Sequence, residues 1–383
     1  VSTKPVSLIS RYQGQKAKKP FDPNIIPINK EEDNMKQCRR VLAALAGVSV
    51  LAASLSGCGA NGGDNRRIIR VGHNQATDHP TNIALMAFEE YIESKLGDQY
   101  NVEVYPSELL GSQTDMVQLT QTGAIDFCVA SNSILETFSD NYTLFNMPYL
   151  FASAEAYHAS MDDADITGPI FDSTKKAGFE AVTWIDAGTR NFYTVSTPIH
   201  SPADLKGLKI RVQQSPTNVE MMRLLGGSAT PMGFGEVYTA LQSKIIDGAE
   251  NNEMALTSNG HGDVCKYYSY DMHQMIPDIL IGNCAFLDGF SPEDRAVFEE
   301  GFQIVNQVER QEWTKAVEAA KSKAEHDQGV QFLYPDTAPF QEICIPMHQS
   351  VLGQYPDLKP FYDAIQVHNK EFTSENTEGG AGQ

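Results

Sequence analysis

The run over residues 205–252, LKGLKIRVQQSPTNVEMMRLLGGSATPMGFGEVYTALQSKIIDGAENN, leaves few folds open. Leu208, Ile210 and Val212 alternate with polar residues, the period of a strand. Residues 217–225 then carry Val219, Met222, Leu224 and Leu225 at helical spacing, and Gly226-Gly227 ends that helix. After a short strand, a second helix is expected over 235–244, with Val237, Leu241 and Ile245 on its apolar side. Residues 245–249 turn into a new strand that delivers Glu250, Asn251 and Asn252. Strand, helix, short strand, helix, strand is an α/β unit, which gathers strand ends and helix N-termini at one edge where ligands sit. Arg211 closes one strand and Asn251 the next, so two polar groups meet at that edge. This is a geometry for recognition, with no sign of a reaction.

The chain is long enough for two lobes: it has 383 residues, and single cores stop growing near ~250–300. Its formal net charge of −20 argues against nucleic acid, which requires a basic footprint. An anionic small ligand is still compatible with that charge if a few local arginines work against the global field. No GxSxG, HExxH or Walker A loop is present, so no enzyme class and no cofactor are indicated. Cys128, Cys265, Cys284 and Cys344 show no metal-ligand spacing and are expected as buried free thiols.

Residues 1–34 show no period. Met35 opens a basic lead, MKQCRR, followed by VLAALAGVSVLAASLSG and Cys58, the pattern of a secretion signal. The apolar run is short for a membrane span. Leu55-Ser56-Gly57-Cys58 resembles the lipobox of bacterial lipoproteins, which implies lipidation of Cys58 and an extracytoplasmic protein anchored to the cell membrane. On this reading residues 1–34 are a non-native upstream extension, 35–57 the signal peptide and 58–66 a tether. Removing the nine basic and four acidic residues before Cys58 makes the mature chain more acidic still.

From residue 67 onward the expected order is β-α-β-α-β, a mostly parallel sheet. Pro80 marks the start of the first helix, and residues 112–122 form the second. A helical stretch over 154–176 is expected to break at Gly168-Pro169. Ser291-Pro292-Glu293-Asp294 is a strong helix start, and the absence of Pro to about residue 328 allows a helix of ~50 Å, long enough to cross two lobes. A coiled coil is the alternative, but Phe298, Phe302, Val305, Val308 and Trp313 keep no steady heptad. A last helix over 337–355 and a polar, disordered tail over 367–383 complete the chain.

With these segments in place, the chain resembles the solute receptors of TRAP transporters, the DctP family. The resemblance is carried by IRVGHN, YPSELLGSQ, AIDFCVA, NMPYLF, GTR at 188–190, the run over 205–252 and the long helix. It implies a two-lobed, type II periplasmic-binding-protein-like α/β fold with a lobe-spanning helix. Lobe I would comprise 67–188 and 276–316, and lobe II 189–275 and 317–366. It also implies a cleft that closes on a small organic acid and a membrane permease that receives the solute. Arg211 then matches the arginine that clamps a ligand carboxylate, which suits a bidentate guanidinium. Arg190 matches a second ligand-facing arginine, with an interlobe salt bridge as its alternative. Asn251 and Asn74 match cleft amides, and Phe234 an aromatic wall. Gln213 or Gln214 would reach a ligand hydroxyl, and Ser131 would come from the opposite lobe. His73, His79 and His273 are further candidates for hydroxyl contacts.

Departures from the family narrow the ligand. Ser131 and Ile134 replace an acid and an arginine of the sialic-acid receptors. RVQQS, TPMGFGEVYTAL, AENN and YYSYDMHQMIPD resemble the subgroup that takes hexuronates such as glucuronate or galacturonate. A four-carbon dicarboxylate would instead use both arginines. A sensor that presents the ligand to a membrane receptor kinase would share the same cleft, as would a receptor for another sugar acid.

Overall fold

The computed structural model describes residues 66–378. The expected extension, signal segment and Cys58 lie outside the described residues. The strands of the first half are β1 (Arg67–Gly72), β2 (Tyr100–Tyr105), β3 (Phe127–Ser131), β4 (Phe179–Ile185) and β5 (Thr189–Thr194). They are followed by β6 (Lys209–Val212), β7 (Ser228–Pro231), β8 (Gly248–Asn251), β9 (Tyr267–Met275), β10 (Asp278–Asn283) and β11 (Gln331–Leu333). Two sheets result, with orders β2-β1-β3-β10-β4 and β11-β9-β5-β8-β6-β7. In the first, β1 runs parallel to β2 and β3, and β10 is antiparallel to β3 and β4. In the second, β6 is parallel to β7 and β8, while β5 lies antiparallel between β8 and β9. The chain passes from one sheet to the other between β4 and β5 and again between β9 and β10. It is an α/β protein of two lobes, of the periplasmic-binding-protein type.

The helices form where local chemistry starts and stops them. Helix α1 (Pro80–Leu96) carries Pro in its first turn, where the missing N–H costs nothing, and His79 caps it by accepting from Thr81 N at 3.2 Å. Helix α2 (Gln113–Thr122) has a capping box: Ser112 accepts from Asp115 N and Asp115 accepts from Ser112 N. Gly123 in the left-handed region ends it. Helices α3 (Ala154–Asp162) and α4 (Ala164–Asp172) replace the stretch expected to break at Gly168-Pro169. The break falls at Asp163, whose extended backbone and side-chain bond to Asp165 N restart the helix. Pro169 sits inside α4, where it removes the bond an N–H there would give to Asp165 O.

In the unit over 205–252, α5 (Pro216–Leu224) follows β6, and α6 (Val237–Gln242) is preceded by a single 3₁₀ turn over Phe234–Glu236. The strand expected over 245–249 begins instead at Gly248, so Glu250 and Asn251 lie within it. The cause is close packing: a Cβ on Gly248 would meet Tyr193 O at 2.5 Å, so β8 can approach β5 only from that glycine onward.

Helix α7 (Pro292–His326) has 35 residues, about 52 Å at 1.5 Å per residue. Its first half packs Phe298, Phe302 and Val305 with Phe88, Phe127 and Leu280 of the first lobe. Gly301 lets Phe88 approach so closely that a Cβ there would lie 2.9 Å from its ring. Further along, Trp313 and Ala320 cluster with Met254, and Ala324 joins the core of the second sheet with Tyr193 and Tyr268. The lobe-spanning helix is therefore present, and its contacts are those of a core helix, with no coiled-coil seam.

The last helix expected over 337–355 is divided into α8 (Ala338–Cys344) and α9 (Pro346–Gln354), because Pro346 cannot continue α8. Residues 367–378 of the tail expected to be disordered instead belong to α10 (Lys359–Glu378), which packs on α3 and α4, and 379–383 lie outside the described residues. Its polar composition concealed its anchors. Asn369 Nδ2 donates to Leu150 O at 2.8 Å, and its Oδ1 accepts from Ala152 N at 2.9 Å. His368 Nε2 lies 3.3 Å from Asp163. Cys128, Cys265 and Cys344 are buried free thiols and Cys284 is a half-buried one.

Candidate functional site

Between the two sheets lies a cleft with about 500 Å³ of space not filled by atoms, including its mouth. The first lobe lines it with Asn74, Gln75, Gln113, Ile134 and Asp278, and the second with Arg190, Arg211, Gln213, Gln214, Met232, Phe234, Asn251 and Asn252. Of the residues picked out in the sequence, Arg211, Arg190, Asn251, Asn74, Gln213 and Phe234 are brought together here. Ser131 does not line the cleft; its N–H donates to Gln113 Oε1 and its Oγ accepts from Gln213.

Arg211 is next to the last residue of β6, and its side chain is almost wholly buried. Nε and Nη2 both donate to Met232 O, at 3.1 and 2.9 Å. The guanidinium lies 5.7 Å from the Phe234 ring, a cation–π contact that orients both. Among the described residues no carboxylate pairs with it, and Nη1 takes no partner from the protein. Burial lowers its pKa, with Glu250 working in the other direction, yet a guanidinium stays charged. The result is a positioned, desolvated cation with one edge of its fork open.

Arg190 is differently placed. Nε donates to Glu250 Oε2 at 2.5 Å, Nη1 to Asn251 Oδ1 at 3.0 Å and Nη2 to Glu250 O at 2.8 Å. All three nitrogens are committed to the neighbouring strand β8. The interlobe salt bridge, the alternative to a ligand-facing role for Arg190, is instead an ion pair inside the second lobe. Burial alone would raise Glu250, but Arg190 and His273 outweigh it and hold the carboxyl down at about 2. Through this pair Arg190 fixes Asn251, whose Oδ1 also accepts from Asn252 N, leaving the Nδ2 amide to donate into the cleft.

Asn74 lines the opposite wall, and its Oδ1 is buried without a hydrogen-bond partner in the protein. Gln213 reaches across the lobes instead of toward solvent: Nε2 donates to Ser131 Oγ at 2.8 Å and Oε1 accepts from Asn218 at 3.3 Å. Gln213 therefore spends its amide on Ser131 and Asn218. Gln214 accepts from Thr114 at 3.4 Å across the same gap.

None of the three candidate histidines lines the cleft. His73 bonds Asn82 and Gln75 N, and burial lowers its pKa to about 4. His79 caps α1 against Trp313. His273 stacks on Phe192 at 4.5 Å, between Asp271 at 2.7 Å and Glu250 at 3.6 Å. Burial opposes its charge, but the two acids prevail and raise its pKa to about 9. Gln75, Gln113 and Asp278 went unnoticed in the sequence. Only the extended run that Asp278 opens, just after Ile276-Pro277, offered a signal. Among the described residues no group of His, Cys, Asp and Glu is disposed to hold a metal ion.

A cleft of amides with one uncompensated guanidinium, shut between two α/β lobes, defines a solute receptor of the two-lobed extracytoplasmic class. The chain belongs to family 7 of the bacterial extracellular solute-binding proteins, DctP, whose model matches residues 71–354. It is 66% identical to a TRAP periplasmic solute-binding protein from Anaerococcus prevotii solved with bound α/β-D-glucuronate. That match covers 80% of this chain and 99% of the other, with a TM-score of 0.79. A TRAP solute-binding protein from Xanthobacter autotrophicus, with bound β-D-galacturonate, is 32% identical over 78% of this chain and 99% of its own, with a TM-score of 0.74. An uncharacterised protein of Salmonella typhimurium is 40% identical over 75% of this chain and 88% of its own. Among the described residues no helix is long and apolar enough to cross a membrane.

Proposed function

We propose that this protein captures hexuronates, D-glucuronate or D-galacturonate, outside the cell and delivers them to the permease of a TRAP transporter. One observation carries the reading: among the described residues Arg211 is a buried guanidinium without a carboxylate partner, its free edge open to a cleft rich in amides. A desolvated cation of this kind gains most from a ligand that brings its own carboxylate. The ring hydroxyls of a uronate would meet Asn74, Gln75 and Asn251, and Phe234 would flank the sugar. The glucuronate and galacturonate bound in the two related structures support the same ligand class. A four-carbon dicarboxylate fits less well, since the second arginine is already neutralised by Glu250.

Because the cleft draws on both lobes, the ligand favours the closed form through contacts that the open form cannot make. No step in this cycle requires catalysis. Cys58 would carry the lipid that keeps the receptor at the membrane, and mass spectrometry of the protein from its native cell tests that assignment. For the ligand, a thermal-shift screen of uronates, hexonates and dicarboxylates is decisive. Stabilisation by D-glucuronate or D-galacturonate is expected; a shift with succinate and none with either uronate would sink the proposal.

A further inference from the structure

The charges around the cleft nearly cancel in pairs. Arg190 is neutralised by Glu250, and His273 by Asp271. Glu108 stands at the mouth, where its Oε2 accepts from Gly235 N at 3.2 Å. Two lining charges remain: the guanidinium of Arg211 and the carboxyl of Asp278. Asp278 is the first residue of β10, held between Ser131 of β3 and Ile185 of β4 in the first sheet. It is therefore on the opposite lobe from Arg211. Only 6% of it is exposed, and the Gln75 side chain lies near enough to favour its ionised form. Burial pushes its pKa up to about 6 while Arg190 pulls it down, so at pH 7.5 the ionised form predominates.

An ionised carboxylate accepts hydrogen bonds and donates none. Facing a ligand hydroxyl, it makes a strong charge-assisted bond. Facing a second ligand carboxylate, it meets another acceptor of the same charge at low dielectric, a juxtaposition that weakens binding. Arg190 relieves that repulsion little, since its charge is balanced by Glu250 and three of its five N–H groups are already donated to Glu250 and Asn251. We propose that Asp278 is the specificity determinant of this cleft: it accepts hydroxyl groups of the ligand and bars a second carboxylate, so the site takes polyhydroxylated monocarboxylic acids and turns away the corresponding diacids. The proposal rests on the reading of Arg211 as clamp for the first carboxylate.

Calorimetry at pH 7.5 with D-glucuronate and D-glucarate, on the wild-type protein and Asp278→Asn, tests it. The wild type binds D-glucuronate at least about tenfold more tightly than D-glucarate, as a like-charge clash requires. Asp278→Asn loses about tenfold or more of its D-glucuronate affinity and narrows the ratio between the two acids. A purely structural role for Asp278 would weaken both acids alike and leave the ratio unchanged, which overturns the proposal. So does a wild type that binds D-glucarate as tightly as D-glucuronate, a comparison that needs no folded variant. If the wild type does not bind D-glucuronate at all, the hexuronate reading itself falls, and this inference with it.

Discussion

Two arginines of one lobe illustrate how far a residue type is from a role. Arg211 and Arg190 are equally buried, yet one has no carboxylate partner and the other has all its nitrogens engaged. Arg211→Ala should weaken uronate binding by roughly 2–4 kcal/mol, read by calorimetry, with little change in the melting temperature of the free protein. Arg190→Ala should do the reverse first: it strands the buried Glu250 and costs on the order of 3–5 kcal/mol of folding stability, read by urea denaturation. Equal effects of the two variants on both measurements would refute this division of labour. The His273 pair makes a pH prediction. Its pKa in the folded protein, about 9, lies above the ordinary 6.5, so its stabilisation is complete below about pH 6.5 and lost as pH rises through 9. Its size is on the order of 3 kcal/mol. The melting-temperature gap between wild type and His273→Gln should therefore be widest near pH 6 and shrink toward pH 9; a gap independent of pH would count against a buried charged imidazole.

At the scale of elements, strand and helix identities were legible wherever the signal was local. Ser291-Pro292 gave the start of the long helix, and Leu208, Ile210 and Val212 gave β6. What escaped was whatever long-range contact decides. The C-terminal helix reads as a polar tail because its anchors are Asn369 and His368, which reach partners more than two hundred residues earlier. Ser131 and Gln213 are legible as polar residues near the site, but not the hydrogen bond that joins them across the lobes. Asp278 was missed because a single acid after Ile276-Pro277 has no motif. The β4–β5 crossing shows the same limit. Gly188 has φ +62, and a Cβ there would lie 2.7 Å from the Trp313 ring. Gly188→Ala should therefore destabilise the protein by about 1–3 kcal/mol, through positive φ and steric crowding together. Urea unfolding with a midpoint equal to wild type would contradict this.

Across the whole molecule, closure is written in hydrogen bonds between the lobes. Glu136, at the end of the turn that follows β3, accepts from Ser215 and Thr217 at the start of α5, the latter at 2.5 Å. Asn218 donates to Ser133, Gln213 to Ser131, and Gly235 N to Glu108. None of Glu136, Ser215 and Thr217 lines the cleft. Glu136→Ala should accordingly raise the apparent Kd for a uronate roughly tenfold without removing a ligand contact, because fewer molecules occupy the closed form. Small-angle scattering should show that variant more expanded than wild type without ligand; identical profiles and affinities would dismiss the latch. The long helix bears on the same motion. The chain has two tryptophans: Trp313 belongs to that helix and Trp184 lies against it. Trp184 sits under the guanidinium of Arg310 with its carbonyl bonded by Asn306, and Trp313 is wedged between Gly188 of the crossing and His79. Any hinge movement changes the polarity and quenching groups around both indoles, so the receptor is its own optical probe: opening and closing can be followed in real time by its native fluorescence, with no dye attached.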